Sequence, residues 1–101
     1  MFTVQISYPV RNYEAFRKVF DSDPAGRAAS GARSVRLLRD TDDQNGVVVH
    51  LDFDTKDAAS VFLERLRSQV WDKPEVIGDL MTASPTAMIL EEVAREGQGA
   101  G

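Results

Sequence analysis

Apolar and polar side chains alternate at the start of the chain. Phe2, Val4, Ile6 and Tyr8 fall in one phase, and Thr3, Gln5 and Ser7 in the other. A period of two marks a strand buried on one face, and Pro9 ends it. The period then changes. Tyr13, Phe16 and Phe20 recur at i, i+3 and i+7 with Val19 widening the stripe, which predicts an amphipathic helix to about Asp21 with Asn12 as its N-cap. Between Ser22 and Gly31 the residues are small and polar, and Pro24, Gly26 and Gly31 predict a loop or short helical turn.

Two further strands are predicted from Ser34 to Thr41 and from Val47 to Phe53. Asn45-Gly46 invites a two-residue hairpin turn, but that loop length places Val35 and Leu37 on the face opposite Val49, Leu51 and Phe53. An odd loop of Gln44-Asn45-Gly46, with Gly46 left-handed in a bulge, unites the five apolar residues. It also gathers Arg36, Leu38, Val48, His50 and Asp52 on the other face. Thr55 or Asp54 caps a second helix, where Ala59, Phe62, Leu63 and Leu66 trace an apolar stripe and the periodicity runs to about Gln69. After Trp71, Pro74 and Gly78 bracket a short irregular or helical stretch through Met81, and Ala87 to Val93 reads as a last strand.

The element order is strand, helix, strand, strand, helix, strand. With right-handed crossovers this predicts an α+β fold of ferredoxin-like βαββαβ type: a four-stranded antiparallel sheet with both helices on one face. One domain is expected over residues 1–94, followed by a disordered tail over 95–101, where Gly97-Gln98-Gly99-Ala100-Gly101 has nothing to bury.

Composition narrows the function classes. A net charge of −4, with no basic stripe, argues against nucleic acid, which needs a cationic face. The absence of cysteine removes disulfides and thiolate metal sites. No basic n-region or long apolar run follows Met1, so neither a signal peptide nor a membrane span is expected, and the cytoplasm is the expected compartment. At 101 residues a domain leaves much of its surface exposed, so burial through self-association would help it.

Four segments carry a resemblance. They are Asn12-Tyr13-Glu14-Ala15-Phe16 with Val19-Phe20-Asp21, then Arg39 to Asn45 before Val47-Val48-Val49. Leu51-Asp52-Phe53-Asp54 leading into the Ala58-Ala59-Phe62-Leu63 helix follows, and Ile89-Leu90-Glu91-Glu92-Val93 closes the set. Over nearly its whole length the chain resembles the dimeric α+β barrel superfamily, which includes the antibiotic-biosynthesis monooxygenases. The resemblance implies a homodimer in which the uncovered sheet faces of two protomers pack together, leaving a cavity between sheet and helices. It supplies no active site.

His50, the one histidine, is the candidate general base, with Gln5, Ser7, Arg36 and Asp52 as ligand-binding neighbours on the same face. The plainer alternative is a histidine satisfied at a dimer interface, with Arg36 and Asp52 as a cross-strand pair. Trp71, with Phe62 and Tyr13, is a candidate wall for a flat aromatic ligand, or simply core packing. No metal site is expected. Counted as a calcium loop from Asp40, positions six and twelve hold Asn45 and Leu51 where glycine and glutamate are required. No cofactor is expected either.

Three functions follow as expectations. One is a small-ligand-binding homodimer without chemistry of its own. The second, implied by the resemblance, is a cofactor-independent monooxygenase or cyclase acting on an aromatic or polyketide-like substrate, with His50 as base and Gln5 or Arg36 stabilising the oxyanion. The third is a haem-binding or haem-degrading protein. Haem-degrading relatives use an asparagine, a tryptophan and a histidine; here Gln5 and Ser7 stand on the first strand and the histidine is on a strand.

Overall fold

Eight residues of β1 (Phe2–Pro9) bury every second side chain, and Val4 and Ile6 are almost entirely enclosed. This is the alternation read from the sequence. The computed structural model describes residues 1–96. After β1, the Asn12 side chain accepts from the Ala15 N–H at 2.9 Å and starts α1 (Tyr13–Ser22). That helix stops at Asp23, which adopts a left-handed conformation at φ 55° and returns its N–H to the Phe20 carbonyl. Left-handed geometry is tolerated by Asp better than by most non-glycine residues.

β2 (Ser34–Asp40) and β3 (Asp43–Phe53) form the central hairpin. Val35 pairs with Leu51 and Leu37 with Val49, so the apolar residues of both strands share a face as expected. The turn itself differs from the expected loop. The chain reverses through Thr41 and Asp42, Asp40 pairs with Asp43, and the register slips between Arg39 and Asp40, leaving Gln44 to Gly46 as a bulge. Nor is Gly46 left-handed. Its requirement is close approach, since a Cβ there would lie 3.3 Å from the Asp40 Cβ. β3 therefore begins four residues earlier than the Val47 start and continues along β1 as far as Pro9 opposite Gly46.

Thr55 caps α2 (Lys56–Leu66) by accepting from the Ala58 N–H at 3.0 Å. Past Leu66 the helix widens into a π-helical turn, Arg67–Trp71. Such wide turns are uncommon and shift the phase of all that follows. A four-residue helix α3 (Pro74–Ile77) leads to β4 (Thr86–Glu91), which stops short of the expected end at Val93. Of the expected disordered tail over 95–101, residues 97–101 lie outside the described residues.

The strand order is β2-β3-β1-β4, all antiparallel, and the helices cover one face of the sheet. This is the expected ferredoxin-like arrangement. The core lies between that face and the helices, where Val4, Ile6, Leu51 and Phe53 meet Phe16, Ala59, Phe62 and Leu66. Phe53 and Phe62 pack as a tilted pair with ring centroids 5.4 Å apart. Burying rings of this size contributes about 1.5–3 kcal/mol each relative to exposure. Among the described residues no helix is long and apolar enough to cross a membrane.

Candidate functional site

The sheet has two faces with different chemistry. On the open face the registers align side chains in rows across the strands. Ser34, Asp52, Thr3 and Leu90 form one row; Arg36, His50, Gln5 and Met88 the next; Leu38, Val48, Ser7 and Thr86 the third. The five open-face residues singled out in the sequence thus share one surface.

Their contacts differ from the expected ones. Asp52 does not pair with Arg36. Its Oδ1 accepts from the Thr3 hydroxyl at 2.6 Å and its Oδ2 from the Ser34 hydroxyl at 2.6 Å, one donor from each flanking strand. Partial burial pushes the Asp52 carboxyl upward, but the two hydroxyls, with Arg95 and His50, outweigh it and hold the group below its ordinary value. Arg36 faces His50 instead and makes no ion pair among the described residues. His50 Nε2 lies 2.9 Å from Gln5 Oε1, so the imidazole donates and the amide carbonyl accepts. Around these polar groups Leu38, Met88 and Leu90 are exposed. The open face is a polar band, in which Asp52 and His50 are hydrogen-bonded and Arg36 stands beside them, framed by exposed apolar side chains.

Behind the sheet lies a pocket. Tyr8 sits in the apolar phase of β1, so its ring points into the core, 4.9 Å from the Phe16 ring and 6.0 Å, edge-on, from Trp71. Phe16 in turn stacks on Phe20 at 6.0 Å. The π-helical turn delivers Trp71 to this position, where its indole N–H donates to the Tyr8 hydroxyl at 3.3 Å. Burial pushes the Tyr8 phenol up to about 12, against smaller opposing effects of the Trp71 hydrogen bond and the Arg27 charge. Arg27 stands at the rim with its guanidinium 3.9 Å from the Phe20 ring centre. Leu80 and Met81, after α3, form the facing wall. Counting its open mouth the pocket encloses about 510 Å³. It is a narrow, mostly apolar slot between sheet and helices.

The structure therefore divides the candidate residues. His50, Gln5, Ser7, Arg36 and Asp52 lie on the open face, while Trp71 lies behind the sheet. Of the aromatics expected beside Trp71, Phe62 lines the pocket, but Tyr13 sits elsewhere, under the Arg39 guanidinium at 4.4 Å. The histidine and the tryptophan are on opposite sides of the sheet, so the two do not meet on one haem within a protomer. Among the described residues no cluster of three or more His, Asp or Glu side chains is placed to hold a metal ion. Sequence reasoning missed Tyr8, Phe16, Phe20 and Arg27 as pocket residues. Tyr8 carried a legible signal, a hydroxyl in the buried phase of a strand.

No family model matches the sequence, and no curated protein sequence matches it. Solved structures do. SnoaB, a cofactor-independent oxygenase from Streptomyces nogalater, superimposes with TM-score 0.69 at 19% identity over 96% of this chain and 97% of its own. A dimeric ferredoxin-like protein from an uncultured marine organism gives TM-score 0.70 at 14% identity over 94% and 97%. An antibiotic biosynthesis monooxygenase gives 0.69 at 12% identity over 93% and 100%. At these identities the likeness is one of fold: the chain has the ferredoxin-like α+β fold found in antibiotic biosynthesis monooxygenase-like proteins.

Proposed function

We propose that the protein is a homodimer that binds a small, largely aromatic ligand in the slot between sheet and helices. The observation that carries this reading is the contiguous wall of Tyr8, Phe16, Phe20 and Trp71 around a cavity at the domain's centre. Pockets of this kind, mostly apolar with a few polar groups, are the usual small-molecule sites. The dimeric neighbour supports a dimer, and the exposed Leu38, Met88 and Leu90 support a contact through the open faces, which would cover them together with Val48. On this reading His50 and Gln5 are interface groups that fix the register of the two copies, rather than ligand contacts.

Trp71 is the one tryptophan in the chain, so its indole N–H gives a single resolvable NMR resonance inside the slot. Titration with naphthalene derivatives should shift that resonance saturably, while sedimentation reports a dimer at micromolar concentration. An indole resonance indifferent to every flat ring tested would end the ligand reading. A monomer would end the dimer reading.

A second reading is a cofactor-independent oxygenase, favoured by the oxygenase among the structural neighbours and by the apolar, aromatic lining of the slot. Such an enzyme needs an electron-rich, ionised substrate that meets dioxygen away from water. Tyr8, with its phenol held protonated to about pH 12, suits the role of donor to a developing oxyanion and not that of base. His50, across the sheet, has no path to the slot within its own protomer. Dioxygen uptake in the presence of anthrone-type phenols, unaffected by His50→Ala and reduced by Tyr8→Phe, is the outcome this reading expects.

A further inference from the structure

The slot's polar groups are unequal in kind. At its inner end the Tyr8 hydroxyl accepts from Trp71, and its own hydrogen meets no acceptor among the described residues. At the mouth the Arg27 guanidinium spends one N–H, from Nη1, on the Phe20 carbonyl at 2.8 Å. Its Nε is 3.4 Å from Asp23 Oδ1, an ion pair without a hydrogen bond, and the same oxygen accepts the Arg27 backbone N–H at 2.9 Å. Of the five N–H donors a guanidinium carries, most are therefore uncommitted. The group is also held in place: its central carbon lies over the Phe20 ring, and its side chain is only 21% exposed. Asp23 is the one acidic side chain lining the slot, at the mouth and more exposed than its partner. Among the described residues no buried side-chain nitrogen or oxygen lacks a partner, so the free Arg27 donors face the solvent at the mouth, where they favour ligands that bring acceptors.

Resting on the reading of the slot as a ligand site, we propose that its ligand is an aromatic acid: a flat ring among Tyr8, Phe16, Phe20 and Trp71, with an anionic oxygen group taken by Arg27 in competition with Asp23. Arg27 is then the residue that sets specificity, and Asp23 is a built-in competitor that keeps the guanidinium oriented when the slot is empty. A planar fork suits this task, because carboxylates are recognised by parallel N–H donors. Tyr8 supplies a second donor at the inner end for a ring-borne oxygen.

The test uses two probes of one shape, 2-naphthoate and 2-naphthylmethanol, titrated at neutral pH while the Trp71 indole resonance is followed. The naphthoate should bind about tenfold more tightly, the scale of one charge-assisted hydrogen bond. Arg27→Gln should bring the two within about twofold of each other, and Arg27→Lys should restore part of the gap. Asp23→Asn keeps an acceptor for the Arg27 N–H and tolerates the left-handed backbone. It removes only the competing charge and should tighten naphthoate about threefold without affecting the alcohol. Equal affinities in the unaltered protein overturn the proposal, as does a gap that survives Arg27→Gln or naphthoate binding that weakens in Asp23→Asn. Should Arg27→Gln fail to fold, the gain or loss in Asp23→Asn decides. Binding of the alcohol alone defeats the acid preference and leaves the ligand site standing; silence from both probes defeats the two together.

Discussion

The same strands present two surfaces, and the contrast between them organises the molecule. On the covered side, Val4, Ile6, Leu51 and Phe53 are at most 1% exposed. On the open side, one residue away along each strand, hydroxyls, an amide, an imidazole and a carboxylate satisfy one another while Leu38 and Met88 stand in solvent. A strand's period of two lets one segment serve both ends: the even positions of β1 make the fold, and the odd positions remain for recognition. Only Tyr8 crosses this division, as a hydroxyl delivered to the buried side.

The contrast can be broken on its covered side first. Phe62→Ala should destabilise the fold by about 3–5 kcal/mol, the range for emptying a well-packed aromatic site, whereas Gln5→Ala should fall within about 1 kcal/mol; denaturant midpoints compare them. Next comes the open side. Val48→Asp places an unpaired carboxylate in both halves of an isologous contact, which should weaken dimerisation by about 3 kcal/mol or more while leaving the circular dichroism spectrum intact. A dimer undisturbed by it would move the contact to another surface.

Tyr8 tests the crossing point. Its folded-state phenol lies near 12 and its unfolded value near 10, so its contribution is complete below pH 10 and is lost as the pH rises through 12. A shift of this size corresponds to about 2–3 kcal/mol. Tyr8→Phe should therefore flatten the alkaline limb of a stability profile measured between pH 9 and 12. The smallest effect belongs to Asp52. Its carboxyl is held low, so it stabilises above its unfolded value and ceases to do so as the pH falls through its folded one. Thr3→Val removes one of its two hydroxyl donors, and acid unfolding should shift by about 1 kcal/mol or less, since the site is wet.

Periodicity made most of the fold legible. The phases of β1 and β3 and the stripes of α1 and α2 translate directly into the observed layers, and parity alone showed that Val35 and Leu37 share a face with Leu51. The turn was not legible, because Asn45-Gly46 has the composition of a hairpin turn while Gly46 is needed for its closeness to Asp40. Side-chain parity constrains how many residues a loop holds and not where they sit. The open-face cluster was legible in position, but not in partnership. Arg36 and Asp52 have opposite charges and neighbouring rows, yet the hydroxyls of Thr3 and Ser34 are directly opposite the carboxylate and take it. The slot was hidden for another reason: its walls are joined by backbone features, the left-handed Asp23 and the wide turn after Leu66, that no pattern of hydrophobicity encodes.

That wide turn has a consequence for how the gene can vary. A π-helical turn is one residue longer than the α-helical turn it replaces, so the slot's end wall depends on chain length at one place as much as on residue type. Removing one of Ser68 and Gln69 would restore ordinary winding and leave the later side chains near their places, since four α-helical residues cover about the rotation of five π-helical ones. Removing both would swing every later side chain by about 100° around the axis. Trp71 would leave Tyr8 with no amino acid in the slot having been replaced. Deletions of more than one residue here, in a stretch that looks like exposed helix, are therefore edits to the slot.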